Sequence, residues 1–333
     1  MSGSPADPLA FAGWDEALSS HPSATIFHTS AWARVLTESY GFKPLYLSER
    51  APGGDLRGLL PVMEVRSRLT GNRGVCLPFT DSASPIADDE AHYAGMLSEA
   101  LVVARARGWK YLEIRGGAEY RKDSPSSIEY VEHVLDLDRS EPELFMNLRT
   151  NMKRNVQKAQ REGVTIGFSD SLEAVESYYR LHCVTRKSHG LPPQPVSFFR
   201  NIQANLLSRN LGFVALARVG NDVVAGAVYL HFGKRMVYKY GASSEEGRKL
   251  RANNLVMWEA ILWGQRNGFD ELSFGRTDAG QAGLLEYKRG FGTTERSIRY
   301  YRFDPRTGDL LPAPSLGANR LSALFRRMPI PVS

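Results

Sequence analysis

The most specific chemical feature of the sequence is a lysine that stands close to two glycines. Lys288 follows a short predicted helix over 283–287, and Gly290 and Gly292 come directly after it. Glycine has no side chain, so it lets the backbone approach another molecule closely. This spacing makes Lys288 the first candidate for a catalytic cation, with a solvated lysine ahead of a turn as the plain alternative.

Four aromatic side chains accompany this lysine. Tyr287 and Phe291 flank it, and they either stack on a substrate or belong to the hydrophobic core. Tyr238 and Tyr240 stand two residues apart in a predicted strand, so they are expected to share one face of it. That face either lines a substrate or packs against the interior.

Three arginines are candidates for anion binding. Arg276 follows a predicted strand over 271–274, at an end where α/β folds often build sites. It binds a phosphate or carboxylate, or it pairs with Asp278. Arg248 and Arg251 precede a predicted helix that Asn253 or its neighbour caps. Helix N-termini attract phosphate, so this stretch is either a phosphate site or a solvated basic loop.

A second basic feature is the predicted helix over 149–161. Met152, Val156 and Ala159 form its narrow apolar stripe. The remaining surface is positive, and it either contacts a tRNA backbone or lipid phosphates or is an ordinary solvated face. Its basic residues are Arg149, Lys153, Arg154, Lys158 and Arg161.

The composition sets the frame for these candidates. The chain has 333 residues, of which 42% are hydrophobic and 23% charged, which excludes a disordered chain and allows about two domains. Residues 1–150 hold 15 basic and 21 acidic residues, and residues 151–333 hold 27 basic and 15 acidic residues. The second half is therefore expected to meet an anion.

Several other chemistries are disfavoured. Cys76 and Cys183 cannot build a disulfide framework, and His182, Cys183 and His189 lack the spacing of a metal site. No P-loop or dinucleotide fingerprint is present. No apolar run reaches the ~20 residues that span a bilayer, and the N-terminus has no signal-peptide pattern. We therefore predict a cytoplasmic protein without a bound metal.

Helix and strand patterns alternate along the chain, which indicates an α/β or α+β architecture. The second half has the order strand, helix, helix, three strands, helix, strand, short helix, strand. That order resembles the GNAT acyltransferase fold, and the first half repeats it more loosely. We expect two tandem GNAT-like domains, 1–148 and 149–303, each a mixed central sheet flanked by helices. The tail over 304–333 packs back on the first domain, or its basic amphipathic stretch at 320–328 lies on an anionic membrane.

Three segments resemble the Fem family of peptidoglycan-bridge aminoacyltransferases, including its FemAB-related branch, within the GNAT superfamily. The first is the basic helix that ends in Ala159-Gln-Arg-Glu-Gly-Val164, the family's A-x-x-x-G-V pattern. The second runs over 238–243 and continues at 253–260. The third and most specific joins Phe274-Gly-Arg276 to residues 283–292, where Lys288-Arg-Gly-Phe-Gly292 is similar to the family's K-x-G-F-G element.

The resemblance implies transfer of an aminoacyl group, usually from aminoacyl-tRNA, to the amine of a cell-wall precursor. It implies that Lys288 faces the acyl junction and stabilises developing negative charge, and that the strand of Tyr238 and Tyr240 borders the acceptor cleft. Acyl transfer to nitrogen needs an oxyanion stabiliser and a route for the amine proton. No resident cofactor is implied, because aminoacyl-tRNA and coenzyme A thioesters are donor substrates.

Two departures leave donor and acceptor open. The pyrophosphate loop of GNAT enzymes, R/Q-x-x-G-x-G/A, matches residues 248–253, where both glycines are missing. The family's Trp-Ala-x-x-Lys element stands here as Trp32-Ala-Arg34-Val-Leu36, so the resemblance makes Trp32 and Arg34 candidate substrate-binding residues, with Arg34 in place of the phosphate-binding lysine. One alternative is an acyl-CoA-dependent N-acyltransferase acting on an amino sugar, amino acid or lipid amine in envelope or exopolysaccharide synthesis. Another is a non-catalytic basic module that binds tRNA or the inner face of a membrane.

Overall fold

The computed structural model describes residues 4–19, 21–51, 56–68 and 70–313. They form two compact units, one from Met1–Val131 with Ser297–Pro314 and one from Glu132–Arg296. The division falls earlier than the expected position 148, because Leu137, Leu144 and Leu148 belong to the core of the second unit. Residues 297–303, expected in the second domain, belong to the first unit.

In its described residues, the first unit combines short strands with three α-helices. In chain order its elements are β1 (Ser4–Ala6), α1 (Trp14–Ser19), α2 (Ser30–Tyr40), β2 (Lys43–Pro44), β3 (Tyr46–Arg50), β4 (Leu56–Leu60), β5 (Met63–Val65), β6 (Arg73–Val75), α3 (Glu90–Ala106), β7 (Leu112–Arg115) and β8 (Ile128–Asp136), which continues into the second unit.

The second unit has longer strands and more helices. Its elements are α4 (Glu141–Asn147), α5 (Thr150–Arg161), β9 (Thr165–Ser169), α6 (Leu172–Ser188), α7 (Val196–Asn205), β10 (Gly212–Val219), β11 (Asp222–Phe232), β12 (Arg235–Ser243), α8 (Glu245–Lys249), α9 (Ala252–Arg266), β13 (Glu271–Thr277) and α10 (Ala282–Arg289). Strand β14 (Thr294–Phe303) returns to the first unit, where β15 (Leu310–Leu311) pairs with its end.

The first unit contains a mixed sheet with strand order β2-β5-β6-β7-β14 and a separate antiparallel sheet β1-β3-β4. In the mixed sheet only β6 and β7 run parallel. Residues 304–313 lie with this unit, and Arg105 Nε donates a hydrogen bond to Pro305 O at 3.1 Å. Residues 314–333, including the predicted amphipathic stretch, lie outside the described residues.

The sheet of the second unit has the order β8-β13-β12-β11-β10-β9, with helices on both faces. Successive strands β9 to β12 are antiparallel, and β12 and β13 are parallel. Gly226 of β11 faces Tyr178 of α6, whereas Tyr229 donates a hydrogen bond from its hydroxyl to Met257 Sδ of α9 at 3.5 Å. Residues an odd number apart on a strand face opposite sides, so α6 and α9 cover opposite faces.

Helix α5 shows how the sequence pattern produces the local structure. Met152, Val156 and Ala159 are buried at helical spacing, and Gly163 ends the turn that follows with a positive φ of 75°. A separate helix, α4, precedes α5, and the chain between the two is broken at Leu148, which is extended. The break lets Arg149 N donate to Gly290 O at 2.9 Å, so it joins α5 to the end of α10.

Candidate active site

Lys288 is buried in the second unit. It stands in the last turn of α10 with 3% of its surface exposed. Its Nζ donates a hydrogen bond to Gly275 O at 2.7 Å and lies 3.5 Å from Arg276 O. A buried ammonium group needs polar partners to offset its lost hydration. The solvated-lysine alternative is therefore wrong, and the side chain is fixed against the end of β13.

Gly275 supplies the acceptor through an unusual backbone conformation. Its φ of 68° lies in the left-handed region, which glycine enters without a Cβ penalty. The Gly275 N–H donates to Ser273 Oγ at 3.1 Å. The regular strand geometry of β13 thus ends locally at the carbonyl group that Lys288 contacts.

This position coincides with the end of a ladder between two parallel strands. The register of β12 and β13 joins Arg235–Val237 to Glu271–Ser273. Both strands then continue, β12 to Ser243 and β13 to Thr277. Within the described residues, the segments beyond the ladder are not paired with each other, and Lys288 lies against the β13 side of this opening.

The expectation that Tyr238 and Tyr240 share one face is wrong. Tyr229 of β11 pairs with Tyr238 of β12, and the preceding residue of β11, Val228, pairs with Tyr240. Lys239 is therefore an extra residue in β12. Such a β-bulge reverses the alternation of side chains beyond it. The two tyrosines therefore occupy opposite faces of the sheet.

The two tyrosines have different neighbours as a result. The Tyr238 ring lies 5.5 Å from the Tyr229 ring, and burial raises the pKa of Tyr238 to about 12. Its hydroxyl group therefore stays protonated at neutral pH and can donate a hydrogen bond. Tyr240 packs on the other face, 5.4 Å from Phe199 and 6.0 Å from His182. Only Tyr238 lies on the side of α9.

Other predicted site residues meet near the end of β12. The Tyr287 hydroxyl donates to Asn253 O at 3.3 Å, and Asn253 Nδ2 donates to Ser243 Oγ at 3.1 Å. Arg248 donates from its guanidinium to Ser243 O at 3.3 Å. Ser243, which no sequence motif singled out, thus accepts hydrogen bonds from two predicted residues, Asn253 and Arg248, and Tyr287 joins them through Asn253 O.

The start of α9 differs from the expectation. The helix begins at Ala252, with Arg251 rather than Asn253 or Asn254 at the capping position. Arg251 has a positive φ of 63°, a conformation usually left to glycine. It occupies the first glycine position of the GNAT pyrophosphate loop, so the backbone there adopts a glycine-like conformation despite the arginine. Arg248 and Arg251 are exposed.

The aromatic and glycine positions around Lys288 are explained by packing. Phe291 is 1% exposed and lies in the core, with its ring 5.7 Å from Phe274 and 5.2 Å from Tyr287. A stacking role for Phe291 on a substrate is therefore corrected to a core role. A Cβ on Gly290 would lie 2.6 Å from Met152 Cγ. The glycine lets α10 approach α5, not a ligand.

Two predicted residues belong to the first unit. Trp32 is completely buried in α2, with its ring 5.2 Å from Phe27. This corrects the expectation that Trp32 binds substrate, because α2 buries that face. Arg34 lies on the exposed side of the same helix. Arg276 of the second unit is half-buried at the end of β13.

Sequence reasoning missed a histidine near Lys288. His133 of β8 is fully buried, and its Nε2 lies 3.2 Å from Glu295 Oε1. Burial, together with the charge of Lys288, lowers the pKa of His133, while Glu295 opposes this shift. No signal in the sequence marks this position, because a single histidine in a strand does not identify its neighbours.

The basic helix α5 is partly engaged by the protein itself. Arg149 pairs with Glu286 at 2.5 Å, Lys153 Nζ donates to Met146 O, and Lys158 Nζ donates to Lys249 O at 3.0 Å.

No group of three or more potential metal ligands occurs among the described residues. None of their helices is long and apolar enough to cross a bilayer.

Comparisons with known proteins concern the fold of the chain. Residues 146–289 match the family described as an acetyltransferase (GNAT) domain. The fold is similar to the crystal structure of FemX, with a TM-score of 0.69 and 15% identity over 86% of this chain and 94% of that chain. No curated protein matches the chain in sequence.

Two further solved structures have similar folds. One is the C-terminal domain of a putative lysylphosphatidylglycerol synthetase from Agrobacterium fabrum, with a TM-score of 0.54 and 11% identity over 86% of this chain and 89% of that one. The other is a tandem GNAT protein from the clavulanic acid biosynthesis pathway, with a TM-score of 0.50 and 12% identity over 78% and 82%. The predicted mixed α/β fold with tandem GNAT-like architecture is confirmed. Residues 146–289 thus match a GNAT acetyltransferase domain, within a fold similar to that of FemX.

Proposed function

We propose that the protein transfers an aminoacyl group, taken from aminoacyl-tRNA, to an amine acceptor in the synthesis of peptidoglycan or another envelope precursor. The observation that carries this proposal is the buried ammonium group of Lys288, hydrogen-bonded to Gly275 O where β12 and β13 stop pairing. The fold similarity to FemX and to a putative lysylphosphatidylglycerol synthetase supports it.

Lys288 has the electrostatic character that acyl transfer to nitrogen requires. Attack of an amine on the acyl carbon produces a tetrahedral intermediate whose oxygen is negatively charged. A fixed cation in a site shielded from water stabilises that charge more than a hydrated one does, and one such donor contributes about 10²–10³ in kcat. We assign this role to Lys288, and assign Tyr238, Tyr287, Asn253 and Arg276 to the walls of the substrate site.

The donor is proposed from the basic surface of the second unit. Lys158 Nζ donates to Lys249 O, so the positive side of α5 is directly connected to the segment that leads into α9. Arg154, Arg161, Arg248 and Arg251 are exposed on these two segments. Such a surface suits the phosphates of a tRNA acceptor stem and predicts strongly salt-dependent binding. The donor enters as a substrate, so no resident cofactor is needed.

A transfer assay tests the proposal. Total tRNA charged with radiolabelled amino acids is incubated with the protein and a UDP-linked muropeptide or its lipid-linked form, and label is followed into the acceptor. We expect transfer by the wild type, loss of about 10² in kcat for Lys288→Met, and partial activity for Lys288→Arg. Lys234→Met is the matched control, because Lys234 Nζ also donates to a backbone carbonyl, Gly268 O, at 2.7 Å, but is exposed.

The role of Lys288 and the identity of the donor are tested by different outcomes of this assay. Unchanged transfer by Lys288→Met removes Lys288 from the mechanism. Absence of transfer from every charged tRNA overturns the aminoacyl donor.

A second candidate function is favoured by one observation. The glycine-like backbone of Arg251 at the start of α9 preserves the conformation expected of a pyrophosphate-binding loop. This supports an acyl-CoA-dependent N-acyltransferase acting on an amino sugar, amino acid or lipid amine. Calorimetry with coenzyme A discriminates the two: micromolar binding that weakens in Arg248→Ala favours the thioester donor, and no heat of binding favours tRNA. Peripheral contact with an anionic membrane is proposed only for lipid-linked acceptors and is tested by vesicle flotation.

A further inference from the structure

Ser273 lies in β13 two residues before Gly275, whose carbonyl group holds Lys288. Its hydroxyl group takes part in two hydrogen bonds, one to a neighbouring strand and one to its own strand. Ser273 Oγ donates to Glu132 Oε1 of β8 at 2.6 Å, and the Gly275 N–H donates to Ser273 Oγ at 3.1 Å. Lys288 Nζ in turn donates to Gly275 O at 2.7 Å. Three hydrogen bonds therefore connect Glu132 to Lys288 through Ser273 and the backbone of Gly275.

The carboxylate of Glu132 determines the direction of the Ser273 hydroxyl group. A hydroxyl group has one hydrogen to donate and two lone pairs, whereas an ionised carboxyl group only accepts. The 2.6 Å separation is typical of a hydroxyl group that donates to a charged acceptor. Because the hydrogen of Ser273 is directed to Glu132, its Oγ lone pairs are left to accept the Gly275 N–H.

The contact between Ser273 and Gly275 begins where the strand pairing stops. The ladder between β12 and β13 ends at Val237 and Ser273, so in the described part of the chain Gly275 has no ladder partner in β12. A serine hydroxyl group that accepts from the N–H two residues later offers the backbone a turn in place of an extended strand. Gly275 accordingly has a φ of 68°, and in this conformation its carbonyl oxygen accepts from Lys288.

The connected residues lead from a partly exposed position into the interior of the second unit. Glu132 and Ser273 are half-buried, whereas Gly275 and Lys288 are buried. Glu132 and Ser273 meet because β8 and β13 are neighbours in the sheet. Hydrogen bonds that are shielded from water are electrostatically stronger than exposed ones. The contacts closest to Lys288 are therefore the ones that fix its position most firmly.

We propose that Ser273, oriented by Glu132, is a positioning residue for Lys288. It holds Gly275 in the left-handed conformation that presents the carbonyl oxygen to the ammonium group, and it acts on Lys288 only through this backbone. Without the hydroxyl group, the Gly275 N–H loses its acceptor and the carbonyl oxygen is no longer held in place. The consequence for catalysis rests on the proposed acyl transfer, whereas the link from Ser273 to Lys288 does not.

Substitutions at Ser273 separate the hydroxyl group from the rest of the side chain. We expect kcat to be about 3–10-fold lower for Ser273→Ala, with KM little changed, because one hydrogen bond of the connection is lost. Ser273→Thr keeps the hydroxyl group and should retain the wild-type kcat. Ser297→Ala is the matched control, because Ser297 of β14 also donates to a glutamate of β8, Glu129, at an exposed position. It should leave kcat unchanged.

The deciding measurement is independent of turnover. Gly247–Arg248 and Gly275–Arg276 are the two Gly-Arg pairs of the sequence. Labelling glycine with ¹³C at the carbonyl group and arginine with ¹⁵N therefore leaves two signals in a carbonyl-to-amide NMR spectrum, and the first pair is the reference. The Gly275 carbonyl shift reports the hydrogen bond from Lys288. We expect it to move in Lys288→Met and in the same direction in Ser273→Ala, and to stay in place in Ser273→Thr and Ser297→Ala.

Two further variants extend this measurement. The shift in the double variant Ser273→Ala/Lys288→Met should fall short of the sum of the two single shifts, because both substitutions remove the same contact. A simple sum would mean that Ser273 acts on Gly275 without reaching Lys288, which overturns the proposal. Glu132→Gln keeps an acceptor oxygen without the charge and should move the Gly275 signal in the same direction by less. It replaces Ser273→Ala in the test if that variant does not fold.

A Gly275 signal that keeps its wild-type position in Ser273→Ala, or that moves equally in Ser273→Thr, overturns the proposal even if transfer is observed. If Ser273→Ala does not fold, an unchanged signal in Glu132→Gln overturns it. A signal that moves in Ser273→Ala as it does in Lys288→Met, in a protein that transfers no acyl group from any donor, supports the positioning role and refutes the proposed function instead.

Discussion

Lys288 Nζ donates a hydrogen bond to the carbonyl oxygen of Gly275 across 2.7 Å, and this contact joins α10 to β13 where the ladder with β12 has ended. The acceptor depends on a left-handed backbone conformation at Gly275. The carbonyl group of Gly275 thereby holds the charged side chain of Lys288. Local backbone geometry, and not a counter-ion alone, therefore controls where this positive charge lies.

This dependence makes Gly275 sensitive to a single added methyl group. Gly275→Ala places a Cβ on a left-handed residue, which costs about 1–2 kcal/mol, and shifts the carbonyl group that Lys288 contacts. We expect a lower free energy of unfolding in urea. We also expect transfer activity to fall by more than the fraction of protein that is unfolded at the assay temperature. Gly167→Ala in β9 is the control, since its Cβ meets nothing within 4 Å; equal effects of the two substitutions would contradict the account.

Two glycines near Lys288 should respond in opposite directions to alanine. A Cβ at Gly290 would lie 2.6 Å from Met152 Cγ and 3.1 Å from Tyr287 O, whereas a Cβ at Gly283 meets nothing within 4 Å. We expect Gly290→Ala to destabilise by about 1–3 kcal/mol through overpacking, and Gly283→Ala to stabilise α10 by up to ~1 kcal/mol. Thermal unfolding measures both. The double variant Gly290→Ala/Met152→Ala should be less destabilised than the sum of its singles, and simple additivity would refute the clash.

Arg251 carries a backbone cost that glycine would remove. Its φ of 63° is unfavourable for a residue with a Cβ, although glycine adds freedom to the unfolded chain. We expect Arg251→Gly to raise the free energy of unfolding by about 0.5–1 kcal/mol, and Arg251→Ala, which keeps the Cβ without the charge, to leave it unchanged or lower it. If both variants have the same stability, the left-handed conformation is not the cause.

Sequence reasoning identified the alternation of elements and the lysine motif, because both are local patterns. The stripe of Met152, Val156 and Ala159 predicts α5 and its buried side. Phe291 and the glycines that follow Lys288 also belong to a recognisable pattern. Their packing against Phe274, Met152 and each other depends on distant segments, so the pattern could not separate ligand contacts from core contacts.

The errors came from backbone irregularities and from contacts distant in sequence. The bulge at Lys239 places Tyr238 and Tyr240 on opposite faces, and no residue type near it announces an extra residue in the strand. Arg251 adopts a conformation that its residue type disfavours. His133 meets Glu295 only because β8 and β14 are neighbours in the sheet.

The buried histidines predict loss of stability in acid. Burial lowers the pKa of His231, on β11, from 6.5 to about 4, and its ring lies 4.9 Å from the Phe269 ring. In the unfolded chain the group takes up a proton near pH 6.5, whereas the folded state resists until about pH 4. The stability that neutral His231 contributes to the folded state is therefore fully present above pH 6.5. About 3 kcal/mol of it is lost as the pH falls towards 4.

Replacing His231 removes this linkage without adding a new polar group. We expect His231→Leu to narrow the difference between the free energies of unfolding at pH 7 and pH 4 by about 3 kcal/mol relative to wild type, measured by urea titration at each pH. The comparison between variant and wild type cancels the carboxylates, which titrate in both. His189→Leu, at an exposed histidine, is the matched control for the substitution itself. An unchanged difference in His231→Leu would show that His231 does not resist protonation in the folded state.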